Sequence, residues 1–337
     1  MRTRLLVALI GVIAAACAGD PANSAANAPF EGREALVRAV TTVSPITNIV
    51  QNIGGDRVHV TGIVPEGTNS HTFEPAPSDA QAFSEADVVF MNGLHLEEPT
   101  RDLADANVPT GTPVVSLGER TISPDEYIYD FSFPESDGDP NPHLWTNPPH
   151  AKRYAEIVKQ ELSSIDPTHA GSYARNYEAF SARIDRLDEL VRDVTATVPP
   201  GNRVLLTYHD SFPYFAREYG WTIIGAIQPA DFADQTPQEI AGLIDQIRAR
   251  GIPAIFGSEV FPSPVLQQIA DETGARYVDE LRDDDLPGEA GDPEHSYLGL
   301  MVFDFRTFMG ALGGDVSMFD KLDVTNVAGE ATADYRY

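Results

Sequence analysis

Residues 166–201 read DPTHAGSYARNYEAFSARIDRLDELVRDVTATVPPG, and this stretch decides how the chain is organised. Asp166 is placed as an N-cap, with Pro167 at the first helical position. Tyr173, Tyr177, Phe180, Ile184, Leu187, Val191 and Val194 then follow at steps of four, three, four, three, four and three, an apolar stripe along one helix face. Pro199, Pro200 and Gly201 end it. From Pro167 to Val194 such a helix extends about 40 Å, at a rise of about 1.5 Å per residue. It reads either as a stiff spine joining two units or as a long surface helix of one domain, and its flanks favour the spine.

Those flanks carry short β-like runs alternating with helical patterns. Before the spine, Leu36–Val43, Val58–Val64, Val88–Met91 and Val114–Leu117 read as strands, with helices at Ile46–Ile53 and Ala80–Ser84. After it, Val204–Tyr208, Thr222–Ile227, Ala254–Phe256 and Arg276–Val278 read as strands, with helices at Gln238–Arg250 and Pro264–Thr273 separating the last three. Such alternation implies an α/β fold with parallel sheets. The expected division is an N-terminal α/β domain over 35–165, a linking helix over 166–198 and a C-terminal α/β domain over 199–337. The segment Glu119–Asp139 is rich in Pro, Asp and Ser and lacks periodicity, so it reads as a loop or a partly ordered insertion; without a histidine it is unsuited to scavenging metal.

With 337 residues, 42% of them hydrophobic, the chain is long enough for two folded cores. Its 51 Asp and Glu against 23 Lys and Arg give a formal charge of −28. Such a field repels nucleic acid, gathers cations and suits a solvated, salt-tolerant surface. Arg2 and Arg4 precede an apolar run from Leu5 to Ala16, so residues 1–16 read as a secretory signal, too short to span a bilayer. The single cysteine, Cys17, follows Ala14-Ala15-Ala16, as in a bacterial lipobox. Lipidation there would leave residues 17–34 as a tether and hold the protein outside the cytoplasm, anchored to the cell membrane.

Three histidines sit in distinctive contexts: His71 in Asn69-Ser70-His71-Thr72-Phe73-Glu74-Pro75, His143 in Asn141-Pro142-His143-Leu144-Trp145, and His209 in Thr207-Tyr208-His209-Asp210-Ser211. Neutral imidazole is a common ligand for Zn²⁺ and similar ions. His209 directly follows a strand, where ligands of open α/β sheets gather. A closed tetrahedral site needs a fourth donor, and the acidic run Asp279-Glu280-Leu281-Arg282-Asp283-Asp284-Asp285 supplies several, with Glu259 another; spacing does not choose among them. Trp145 and Phe73 read as packing that fixes the rings. His59, His95, His150, His169 and His295 lack such contexts and read as structural or surface residues.

In order, these motifs resemble the zinc/manganese group of substrate-binding lipoproteins that serve bacterial ABC transporters (cluster A-I), over roughly residues 36 to 315. The resemblance rests on Pro45, Gly54-Gly55-Asp56, Pro65-Glu66-Gly67, the three histidine motifs, Ala86-Asp87, Asn92-Gly93-Leu94, Phe212, Tyr214-Phe215, Ile255-Phe256 and Tyr297. It implies two α/β domains on one long rigid helix, a divalent metal held between them, and no enzymatic activity. Carried over, the ligands fall on His71, His143, His209 and Asp284, the last because Leu281 and Leu286 match the flanking leucines; Glu259 becomes a nearby acid rather than a ligand. Histidine at the third position resembles zinc-binding members, whereas manganese-selective members resemble one another in carrying glutamate there. The expected cargo is Zn²⁺, with Mn²⁺ the alternative, and the expected partners are an ABC permease and its ATPase, with the protein a monomer. An adhesin role and a zinc hydrolase with His₃ and an open position are the rival readings. Two features depart from the family: the acidic segment replaces a His-rich loop, and Ala230-Asp231-Phe232-Ala233 replaces a Glu-Pro-Ser-like stretch.

Overall fold

The stripe predicted along the spine is buried where the sequence places it. Tyr173, Phe180, Ile184, Leu187, Val191 and Val194 are each at most 1% exposed, and only Tyr177 is left half-buried, with the Lys159 ammonium 4.3 Å from its ring centroid. This is a computed structural model, and it describes residues 36–130, 132–228, 236–258, 263–328 and 332–335. The signal sequence, Cys17 with its tether, Ala230-Asp231-Phe232-Ala233 and Glu259 lie outside the described residues.

Among the described residues nine strands form two sheets, and every described pairing is parallel. The first sheet has the order β4-β3-β1-β2-β9, from β1 (Val37–Thr41), β2 (Val58–Gly62), β3 (Val88–Met91), β4 (Val114–Ser116) and β9 (Thr332–Asp334). The second runs β6-β5-β7-β8, from β5 (Val204–Thr207), β6 (Thr222–Ala226), β7 (Ala254–Ser258) and β8 (Arg276–Leu281). Strands β3 (VVFM) and β5 (VLLT) are buried throughout, as sheets covered on both faces require. The chain's last described strand returns to the first sheet, pairing His59 with Thr332 and Thr61 with Asp334, so that sheet draws on both ends of the chain.

The spine begins later than its sequence predicts. Asp166 does not cap it: Asp166 closes the preceding helix, α4 (Pro148–Ile165), by donating its N–H to Leu162. Its carboxylate instead accepts from His169 Nδ1 at 2.6 Å and from the Tyr173 hydroxyl at 2.8 Å. Pro167–His169 forms a short 3₁₀ turn, and the long helix, α5, runs Ala170–Thr197. Helices α4 and α5 pack as an antiparallel hairpin, clipped by Lys152 to Asp185 at 2.6 Å. Toward its start α5 reaches α1 (Ser44–Gly54), through Asn176 Nδ2 donating to the Ile53 carbonyl. Toward its end it meets α6 (Pro213–Tyr219), where the Tyr219 hydroxyl donates to Asp188 at 2.6 Å. The helix α9 (Tyr297–Ala311) is apolar nearly all round and joins both halves: the Tyr297 N–H donates to Asn48 Oδ1 and its hydroxyl to the Trp145 carbonyl. One continuous apolar cluster therefore runs from Val37 through α5 to Phe319.

At the C-terminal end of β3, Gly93, Leu94 and His95 have φ of 78°, 52° and 63°, a left-handed run that two non-glycine residues enter at a cost. Glu97 closes it, accepting from the Thr42 hydroxyl (2.9 Å) and from the N–H groups of Asn92 (2.7 Å) and Gly93 (3.2 Å). Burial pushes this carboxyl up to about 7, against the pull of those hydrogen bonds. A folded-state value raised above the unfolded one means that its stabilising share is complete below about pH 4.5 and is lost as pH rises through about 7. Unfolding measured from pH 4.5 to 8 is therefore expected to shift in favour of Glu97→Gln over wild type by roughly 2–4 kcal/mol; a constant difference would disprove the buried carboxyl's cost. A charge of −28 also makes the compact chain repel itself. The thermal midpoint should rise between about 0.1 and 1 M salt, as the Debye length shrinks from about 10 to about 3 Å; a flat or falling midpoint would contradict this.

Candidate metal centre

The three motif histidines come from three loops at strand or helix ends, and each loop is locally braced. After β2, the Asn69 side-chain oxygen accepts the His71 N–H at 3.0 Å, and the Thr72 N–H returns to the Asn69 carbonyl, an Asx-type turn. Before α4, Asn141 Oδ1 accepts both the His143 N–H (3.0 Å) and its Nδ1 (2.8 Å). After β5, the Tyr208 N–H is taken by the Phe256 carbonyl, and His209 leaves the sheet immediately beyond. The Asn-X-His pattern thus occurs twice, at Asn69 and Asn141.

The rings converge. Nε2 of His71 lies 3.3 Å from that of His143 and 3.1 Å from that of His209, and the latter two are 3.0 Å apart. These three form a cluster whose donor atoms can hold one metal ion. A tetrahedral shell with Zn–N bonds of about 2.0–2.1 Å has edges of about 3.3 Å. An octahedral face at the same bond length has edges of about 2.9 Å, so edge length suits a shared ion without selecting its coordination number.

The tautomer of His143 follows from backbone groups. The Asn141 side-chain NH₂ donates to the Asp210 carbonyl at 2.7 Å, while its oxygen accepts the His143 N–H. Both partners are unambiguous, so the amide can point only one way. Nδ1 of His143 must then carry its proton, which leaves a lone pair on Nε2 facing the other two rings. Burial drives His71 and His143 well below the ordinary imidazole value, with the neighbouring rings adding to it. Burial lowers His209 too, opposed by Asp283 and by the Gln228 side chain. All three are neutral ligands in waiting near pH 7.

The acidic run closes the site from one side. A cavity of about 20 Å³, room for one water-sized sphere, is bordered by the three imidazoles together with Ser258, Asp283 and Asp284. Ser70 hydrogen-bonds Asp284, the Ser211 hydroxyl donates to Asp283 Oδ1 at 2.5 Å, and Trp145 Nε1 donates to the Asp283 carbonyl. Asp285 turns away to accept the Gly67 N–H at 2.7 Å. Among the described residues no carboxylate joins the three imidazoles in the tight cluster, so Asp284 borders the cavity from farther off. Trp145 is fully buried with its ring 5.0 Å from that of His143, the packing role its sequence context suggests. Of the other histidines, His59 sits by Asp334, His95 by Glu98 and His169 by Asp166. His150 is pushed down to about 4, chiefly by burial.

Parallel α/β sheets around a long helix, with imidazoles converging from loops on both sides of it, define a two-sheet α/β protein with a candidate metal centre. The family model for the periplasmic zinc-uptake complex component A (ZnuA) matches residues 39–311. The manganese-binding lipoprotein MntA of Halalkalibacterium halodurans is 30% identical over 307 residues, covering 91% of this chain and 97% of that one. The iron-binding protein YfeA of Yersinia pestis is 31% identical over 314 residues, covering 91% and 96%. The structure of the periplasmic zinc-binding protein TroA from Treponema pallidum superposes with a TM-score of 0.74 at 26% identity, covering 83% of this chain and all of that one. The chain belongs to this ZnuA family, the metal substrate-binding proteins of ABC transporters, as its sequence motifs anticipate.

Two contributors carry no signal of their own in the sequence: Asn141, which stands inside the His143 motif, and Phe133, which lies in the segment that reads as a loop. Removing the group that fixes a ligand ring commonly costs 10–100-fold in metal affinity. Asn141→Leu is expected to lose that much in a metal titration; an unchanged affinity would refute the orienting role of Asn141.

Proposed function

We propose that this protein captures one divalent cation, Zn²⁺, outside the cytoplasm and delivers it to a membrane permease driven by an ATPase. His71 and His143 supply ligands from one side of α5, His209 and Asp284 from the other, and a lipid on Cys17 keeps the protein at the membrane. The observation that carries this reading is the convergence of three neutral Nε2 atoms to 3.0–3.3 Å of one another. Imidazole nitrogens at that spacing can all turn their lone pairs to one shared cation. Nitrogen-rich sites favour zinc, whereas manganese prefers oxygen donors. Relatives are named for manganese, iron and zinc alike, so their names do not choose. Mn²⁺ is the second reading, favoured by the extra carboxylate of Asp283 beside the cavity.

Capture would tie together loops from the two sheets, and handover would require them to part. The apolar cluster continuous from the first sheet to α9 supports a small rocking motion rather than a wide hinge. Calorimetric titration of the chelator-stripped chain is expected to show one Zn²⁺ per chain, preferred over Mn²⁺ in competition. His209→Ala should weaken binding by orders of magnitude, and Asp284→Ala should weaken it more than Asp283→Ala. Absence of saturable uptake by the wild-type chain would overturn the proposal, and a preference for Mn²⁺ would replace zinc with manganese.

A further inference from the structure

The segment Glu119–Asp139, irregular as its sequence predicts, delivers a side chain to the imidazoles. The ring centroid of Phe133 lies 5.6 Å from that of His71, 5.7 Å from His143 and 6.2 Å from His209. Near-equal distances to three rings that are themselves 4.7–5.2 Å apart put Phe133 over their common face rather than beside one of them. Phe133 is half-buried and does not border the small cavity that the imidazoles share with Asp283 and Asp284. Aromatic cover and carboxylates therefore flank the cluster from different directions.

The cover is fastened. Asp130 and Phe133 exchange backbone hydrogen bonds, at 2.9 and 3.2 Å, in a tight turn. The Asp130 carboxylate accepts from the Asn141 side-chain NH₂ at 3.3 Å, linking this turn to the residue that orients His143. The Ser132 hydroxyl donates to the Gln228 carbonyl at 2.5 Å, which ties the turn to the loop after β6.

We propose that Phe133 is a specificity-determining wall of the metal site. A phenyl ring offers no lone pair, and where it covers the imidazoles it keeps water from joining the shell. An ion held there must complete its coordination from the cavity side, where Asp283 and Asp284 stand. Zn²⁺ accepts four ligands without penalty, whereas Mn²⁺ favours an octahedral, oxygen-rich shell that includes water. The ring thereby adds selection by coordination number to the selection by donor type made by the histidines. This inference rests on the reading that the three imidazoles hold the ion.

The test uses the full chain, with Co²⁺ as a spectroscopic probe and Zn²⁺/Mn²⁺ competition as a second readout. Wild type should give the intense visible absorption of four-coordinate Co²⁺. In Phe133→Ala that absorption should fall several-fold as water enters, and the preference for Zn²⁺ over Mn²⁺ should narrow at least tenfold. Phe133→Leu, which keeps an apolar cover, should stay close to wild type; Phe133→Thr gives the same reading should the alanine variant fail to fold. Stoichiometric binding with an unchanged spectrum and an unchanged Zn²⁺/Mn²⁺ ratio, in Phe133→Ala or in Phe133→Thr, overturns the wall. A wild-type chain that takes up neither Co²⁺ nor Zn²⁺ overturns instead the reading on which the wall rests.

Discussion

Three imidazole nitrogens held within 3.0–3.3 Å of one another can share one cation only while their rings keep that spacing. Holding them there takes rigid support, because each ring would relax outward if its loop could move. Much of the surrounding architecture serves that end. The loop of His71 is fixed by its own Asn69, that of His143 by Asn141, and the exit from β5 by the Phe256 carbonyl. Further bonds cross between the halves: Asn141 to the Asp210 carbonyl, Thr146 to the Ser211 carbonyl, and Trp145 to the Asp283 carbonyl. Each joins a loop of the first half to one of the second within a few residues of an imidazole.

Behind these loops lies the packing that keeps them in register. Helix α5 meets α1 at one end and α6 at the other, and α9 reaches both, α1 through Tyr297 and Asn48 and α6 through Phe305 and Phe308 against Phe215. Phe212, Phe215, Phe305 and Phe308 interlock at ring separations of 5.0–6.4 Å, filling the space beneath the His209 loop. Aromatic pairs of this kind contribute about 0.5–1.5 kcal/mol each beyond the area they bury. The His209 loop is thus buttressed by the core of its own half, while the carbonyls of Asp210 and Ser211 accept hydrogen bonds from the other half.

Sequence reading works best where local pattern and tertiary role coincide. Val88–Met91 and Pro264–Thr273 fall on β3 and on the helix Pro264–Thr273 at both ends, since each is bounded by unambiguous turn or cap residues. Helix α4 went unread: its buried positions are partly alanines, Ala151 and Ala155, and it opens on Pro148-Pro149, so the stripe is faint. Asp166-Pro167 reads as the start of α5 yet closes α4, because one Asp-Pro step can end one helix as readily as begin the next. The apolar α9 shows no period because nearly every face is buried. The histidines were legible from their short motifs. Phe133 was not, since nothing local marks an aromatic in a proline- and aspartate-rich stretch; its importance comes from distances that only the fold creates. The choice among the acids 283–285 was likewise beyond spacing, because neighbouring residues in a loop point in different directions, Asp285 toward Gly67 and Asp283 toward Ser211.

The return of β9 to the first sheet bears on how the molecule is assembled. Strand β2, which leads to His71, has β1 on one side and β9 on the other. Around β9 the chain is pinned to α1, with Asn326 accepting from Asn48 and Asn52, and the Tyr335 hydroxyl donating to Gln51. A chain emerging from its N-terminus exposes β1 to β4 long before β9 exists, so the outer edge of β2 stays unpaired until residues 332–334 have been made. Non-local pairing of this kind folds slowly, and an open strand edge invites mispairing. The histidine nearest that edge is thus seated late, and a chain cut short before residue 332 would carry all four proposed ligands yet lack the strand that seals the sheet beneath the first of them.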